Sequence, residues 1–180
     1  MKLFPALLTL ASFAFAAPAA AEVLAATPGG ITTSNTATVT ATPAQVWAAL
    51  VEPARYWSPA HSWSGDAANM TLDPRAGGCF CEALPASGGS VEHMRVIHAA
   101  PGEMLRLSGA LGPLQSEALA GTLTVTLSPV NDGTRIEWTY LVGGHARFDL
   151  VQLAPVVDGV MAEQLRRLAE LLGPMDAQEE

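Results

Sequence analysis

From Met70 onward apolar residues return at every second position, and after Gly144 the repeat lengthens to that of an α-helix. Strands are predicted near 69–73, 78–84, 90–99, 103–109, 117–129 and 134–142, parted by Asp-Pro, Gly-Gly, Pro-Gly and Asn-Asp-Gly turns. Within them Leu123, Val125 and Leu127, then Ile136, Trp138 and Tyr140, alternate with polar residues, so one face of the sheet is buried and the other is wet. In the C-terminal helix Val157, Val160, Met161, Leu165, Leu168 and Leu172 form one stripe, with Glu163, Arg166, Arg167 and Glu170 opposite. Gly173-Pro174 stops it. A twisted sheet with one apolar face must cover that face, and this helix is the only long amphipathic element available. The pattern therefore predicts an α+β domain in which a curved sheet wraps the last helix and leaves a cleft between them.

Ahead of the sheet, Ile31–Ala41 is Thr-rich and β-prone. Thr42-Pro43 is a helix start, with Val46, Trp47 and Leu50 at helical spacing, and a second short helix is predicted over 54–57. Residues 1–21 read as a cleavable export signal. Lys2 supplies the charge, Leu3–Ala16 the apolar run, and Ala19 and Ala21 the small residues before a cut after Ala21. The run is too short to span a bilayer about 30 Å thick. The predicted organisation is thus a signal peptide (1–21), a flexible lead-in (22–30), one domain (31–173) and an acidic tail (174–180). The expected location is periplasmic or secreted, with no membrane span after cleavage.

Seventeen acids against nine bases argue against nucleic acid as a partner. Lys2 is the only lysine, so a chain cut after Ala21 has no side chain for Schiff-base or phosphate-loop chemistry. No nucleophile elbow, Rossmann glycine pattern or Walker motif is present, and no cofactor is implied.

Three segments resemble the START-like helix-grip (SRPBCC) superfamily. They are Thr42–Leu50 with its Pro and Val-Trp, Asp73–Phe80 with its Pro-Arg-Ala-Gly-Gly, and Ala100–Leu105 with its Pro-Gly turn. The nearest branches are similar to Hsp90-ATPase-activator-like and polyketide-cyclase-like proteins, and the resemblance spans about residues 31–172. It implies a helix-grip fold of six to seven strands around the C-terminal helix, two short helices after the first strand, and a hydrophobic cavity. An exported chain is a poor match to a cytoplasmic ATP-linked co-chaperone.

The chemistry-bearing residues are few. Cys79 and Cys81 share one face of a strand, Phe80 and Glu82 the other. Residues two apart in an extended strand lie about 6.5–7 Å apart, the upper limit for a disulfide. The pair thus reads as buried small hydrophobes, a strained redox pair, or soft metal ligands with His93 as a third. His61, His93, His98 and His145 read mainly as surface or hydrogen-bonded histidines. Glu82, if it shares the inner face with Phe80, would have its pKa raised by desolvation and could serve with His93 as acid and base, unless Arg95 pairs with it. Glu92 and Glu137 are the other sheet acids. In the aromatic segment 56–66, Trp57, His61 and Trp63 read either as ligand contacts at a cavity mouth or as packing. Phe80, Glu82, Trp138, Tyr140, Val157, Met161 and Leu165 complete the expected ligand contacts, and the apolar loop 109–114 is expected at the rim.

Three functions compete: a small hydrophobic ligand held in a cavity, an enzyme of cyclase, dehydratase or hydrolase type, and a protein-interaction or stress-response domain.

Overall fold

In the computed structural model, which describes residues 20–175, Thr42 and Gln45 cap each other. The Thr42 hydroxyl accepts from the Gln45 N–H at 3.4 Å, and the Gln45 side chain accepts from the Thr42 N–H at 2.9 Å. This reciprocal cap starts α1 (Pro43–Leu50) with Pro43 at its first turn. Beyond it, Pro53 and Pro59 each open a single 3-10 turn, Pro53–Arg55 and Pro59–His61, and Asp66 caps a third at Ala67–Asn69, where one short helix over 54–57 was predicted.

The strands are β1 (Ala20–Thr27), β2 (Gly30–Val39), β3 (Met70–Leu72), β4 (Cys79–Leu84), β5 (Gly89–Ala100), β6 (Met104–Ser108), β7 (Ala118–Val130) and β8 (Gly133–His145). They form one antiparallel sheet in the order β1-β2-β8-β7-β6-β5-β4-β3. Asn131 and Asp132 make the two-residue turn between Val130 and Gly133, as the Asn-Asp-Gly signal predicts.

Among the described residues the sheet has eight strands, where about six to seven were expected. Residues 22–30, expected as a flexible lead-in, instead supply most of β1 and the turn into β2. Its Ala-rich sequence has little β propensity, but pairing with β2 and the packing of Val23 and Ala26 against the core hold it. A chain cut after Ala21 would keep the pairs from Glu22↔Ser34 to Thr27↔Gly30. The remainder of the predicted signal (residues 1–19) and the end of the acidic tail (176–180) lie outside the described residues. Pro174 and Met175 are tied to β2, through a bridge to Val39 and a bond from the Met175 N–H to the Thr38 carbonyl at 2.8 Å.

Helix α2 (Leu150–Leu171) is capped by Asp149, whose carboxylate accepts from the Val151 and Gln152 N–H groups. Met161, Leu165 and Leu168 of its stripe are buried on the sheet. It packs most closely on β1 and β2, at one side of the sheet. The opposite side is covered by the segment from α1 to Ala67–Asn69, and the space between the two covers is where a cavity opens. Among the described residues no helix is long and apolar enough to cross a membrane.

Candidate functional site

The cavity beneath α2 has a volume of about 280 Å³. Leu153, Val156, Val157, Val160 and Met161 of α2 form its roof. Leu111 to Leu114 form one rim, and Trp57 with Ala60 to Trp63 the other. Tyr140 and His93 face it from the sheet. Trp63 and Val156 are 56% and 59% exposed, so the mouth is apolar and open to solvent.

Both rims are fastened by polar groups. The Tyr140 hydroxyl accepts from the Leu111 N–H at 3.0 Å and donates to the Gly109 carbonyl at 3.3 Å, and burial pushes this phenol up so that it stays neutral. Gly121 lies beneath this contact, where a side chain would meet the Gly109 carbonyl and the Tyr140 hydroxyl. On the other rim the fully buried Gln164 accepts from the Ser58 N–H at 2.7 Å and bonds His61 Nδ1 at 3.0 Å. The Trp57 indole N–H donates to the His61 carbonyl at 2.9 Å. Behind the first rim, Arg147 grips Glu117 with side chain and backbone, holding that carboxyl down to about 2.

The polar wall arises from a break in strand alternation. Phe80 pairs with Met94 but Cys81 pairs with Glu92, so β5 carries one extra residue, His93, in a bulge. Consecutive His93 and Met94 both become buried. There His93 Nε2 meets Glu82 at 2.9 Å, with Glu82 only 1% exposed. The Trp63 and Ser64 N–H groups donate to the same carboxylate at 3.1 and 2.5 Å. Phe80 lies against the imidazole with ring centroids 5.0 Å apart, and Trp57 meets Phe80 edge-on at 5.2 Å.

Burial alone would raise the pKa of Glu82, which was the expectation from sequence. The bonds from Ser64, Trp63 and His93 outweigh it and hold the carboxyl below its ordinary range. Burial pushes His93 down, against the pull of Glu82. An ionised carboxylate can only accept, so neutral His93 donates from Nε2 and keeps Nδ1 as its acceptor.

Both shifts give stability the same pH sign. Between each folded pKa and its ordinary value, 6.5 for His93 and 4.5 for Glu82, the unfolded chain binds more protons. Stability therefore falls as pH drops, first through the histidine window and then through the carboxylate window. Urea midpoints at roughly pH 7.5 and pH 5 should fall further for the wild type than for His93→Gln. Equal falls would show that His93 does not contribute.

Of the expected ligand contacts, Trp57, His61, Trp63, Tyr140, Val157 and Met161 line the cavity. Phe80 and Trp138 border a separate apolar void of about 20 Å³, Leu165 is buried in the core, and Glu82 lies behind His93. Arg95 pairs with Glu92, not Glu82. Gln164 and the Leu111–Leu114 rim complete the site. Gln164 had a legible signal, because it falls on the apolar stripe between Met161 and Leu165.

Of the three readings of the cysteines, the structure shows the bonded pair. They are joined in a disulfide with Cα atoms 5.4 Å apart, shorter than the span of a straight strand, where the β4–β5 register shifts. They are not free buried thiols, and His93 points to the other side of the sheet, away from them.

Residues 30–173 match the family described as polyketide cyclase / dehydrase and lipid transport. No curated protein matches the chain. Among solved structures, the Mll3558 protein from Rhizobium loti is 25% identical with a TM-score of 0.58, over 78% of this chain and 96% of its own. A protein from Rhizobium leguminosarum is 21% identical with a TM-score of 0.58, over 85% and 96%. CalU16 from Micromonospora echinospora is 16% identical with a TM-score of 0.53, over 79% and 74%. These likenesses carry the fold.

Proposed function

The chain belongs to the polyketide cyclase / dehydrase and lipid transport family, and on that premise we propose that it is an exported binding protein for a small apolar or amphipathic molecule. The observation that carries this reading is the apolar chamber under α2 with the carboxylate-oriented His93 imidazole in its sheet wall. Its volume of about 280 Å³ is near the lower end of the roughly 300–1,000 Å³ of small-molecule sites, which suits a short chain or a small ring system. His93 Nδ1 would accept a hydrogen bond from a hydroxyl or acid group of the ligand. The N-terminal segment supports export, and the Cys79–Cys81 disulfide suits an oxidising compartment.

The test is titration with an environment-sensitive apolar fluorophore, displaced by medium-chain fatty acids. Wild type should bind at one saturable site. Val157→Trp, which puts an indole into the chamber, should weaken binding by about tenfold or more, or about 1.4 kcal/mol. Unchanged affinity in that variant would sink the proposal.

The Glu82–His93 pair favours a second reading, in which the carboxylate-oriented imidazole removes a proton from the bound molecule. Mass spectrometry of protein purified from its own host separates the two. An unaltered co-purifying molecule supports the carrier, whereas conversion of that molecule by wild type but not by His93→Gln supports the enzyme.

A further inference from the structure

The cysteine pair lies on the face of β4 opposite the cavity, since Phe80 and Glu82 are the residues turned inward. Both cysteines are half-buried there, beside the exposed Glu92. Glu92 is the register partner of Cys81, and its carboxylate is 4.0 Å from Cys79 Sγ. The two sulfurs and a Glu92 oxygen all lie within 4.8 Å of one another. As a staple the disulfide adds little, because the shortest loops restrict the unfolded chain least. The ladders to β3 and β5 already hold β4 on both sides. The pair also takes no part in the cavity. Two thiolates and a carboxylate instead make a soft, three-donor set with an open fourth position, the composition that suits Zn²⁺ and its thiophilic relatives.

Arg95 is the charged group facing this set. It pairs with Glu92 and donates to the Gly77 carbonyl at 2.8 Å. Its charge favours thiolate over thiol, and an incoming cation must take Glu92 from it.

We propose that Cys79, Cys81 and Glu92 form a redox-gated site for a thiophilic divalent cation, closed while the disulfide stands and opened when a dithiol reduces it. The dithiol gives up two electrons and two protons. The Cys79–Cys81 S–S bond breaks to two thiols as the dithiol closes to its own cyclic disulfide. Binding of the cation then displaces both thiol protons.

The probe is Cd²⁺, titrated into oxidised protein and into protein reduced with a dithiol that is then removed. Binding is read from the ultraviolet thiolate-to-metal band and from equilibrium dialysis. Reduced wild type should bind one Cd²⁺ per chain with that band, and the oxidised form should bind at least about a hundredfold more weakly. Cys81→Ser should lose the band, and Glu92→Gln should bind roughly tenfold more weakly with the stoichiometry unchanged. Circular dichroism on the reduced chain guards the result, because unfolding on reduction would make the disulfide a structural staple and overturn the proposal. Equal Cd²⁺ affinity in both redox forms, no thiolate band on the reduced form, or an unaltered Glu92→Gln would also overturn it. If Cys81→Ser does not fold, the redox comparison and Glu92→Gln still decide.

Discussion

Replacing Glu82 by alanine should cost about 3–5 kcal/mol of folding stability, on the order of what three buried donors lose with their common acceptor. The carboxylate is 1% exposed and accepts from His93 and from the Trp63 and Ser64 N–H groups. Without it, two backbone donors and an imidazole lose their acceptor, and a buried donor left bare costs about 1–3 kcal/mol. Glu82→Gln should lose less, because its amide keeps one acceptor oxygen but turns an NH₂ toward the same donors. Urea unfolding at neutral pH with an unchanged slope is the measurement. A loss under about 1 kcal/mol for Glu82→Ala would mean that water replaces the carboxylate at little cost. The consequence reaches function, since Glu82 ties the 63–64 segment of the cavity mouth to the sheet.

Trp138→Ala should cost a similar amount, about 3–5 kcal/mol, as expected for emptying the site of a large buried aromatic. Trp138 is 1% exposed and meets Tyr56 edge-on at a centroid distance of 6.4 Å. Among the described residues its indole N–H has no partner, nor does the side-chain oxygen of its register neighbour Asn35. Asn35 instead spends its NH₂ on Asp158 of α2, at 2.8 Å. Trp138→Phe removes the stranded donor together with some volume. Its cost should therefore be less than half that of Trp138→Ala, since about 1–3 kcal/mol of desolvation is relieved. Equal losses in the two variants, measured by thermal or urea unfolding, would show that the N–H is satisfied by an ordered water.

The strands were legible because alternation and turn residues are local. The predicted run over 117–129, for example, is observed as Ala118–Val130. The capping pair at Thr42 and the stripe of α2 were readable for the same reason. What escaped depends on partners distant in the chain. β1 is a strand only because β2 lies beside it. The direction of the Glu82 shift is set by the N–H groups of Trp63 and Ser64, which lie in a different loop. The cysteine geometry follows from a local departure of β4 from full extension, which a two-residue spacing in sequence does not reveal.

The extra residue in β5 has a consequence for how such a chain can change. Either side of it the inward and outward positions are in step, with Glu92 out, Met94 in and Arg95 out. Deleting the codon for His93 would leave regular alternation and keep Met94 and Val96 in the core. A single gain or loss in length, with no other core residue replaced, thus separates a chamber with the His93 imidazole in its sheet wall from one without it.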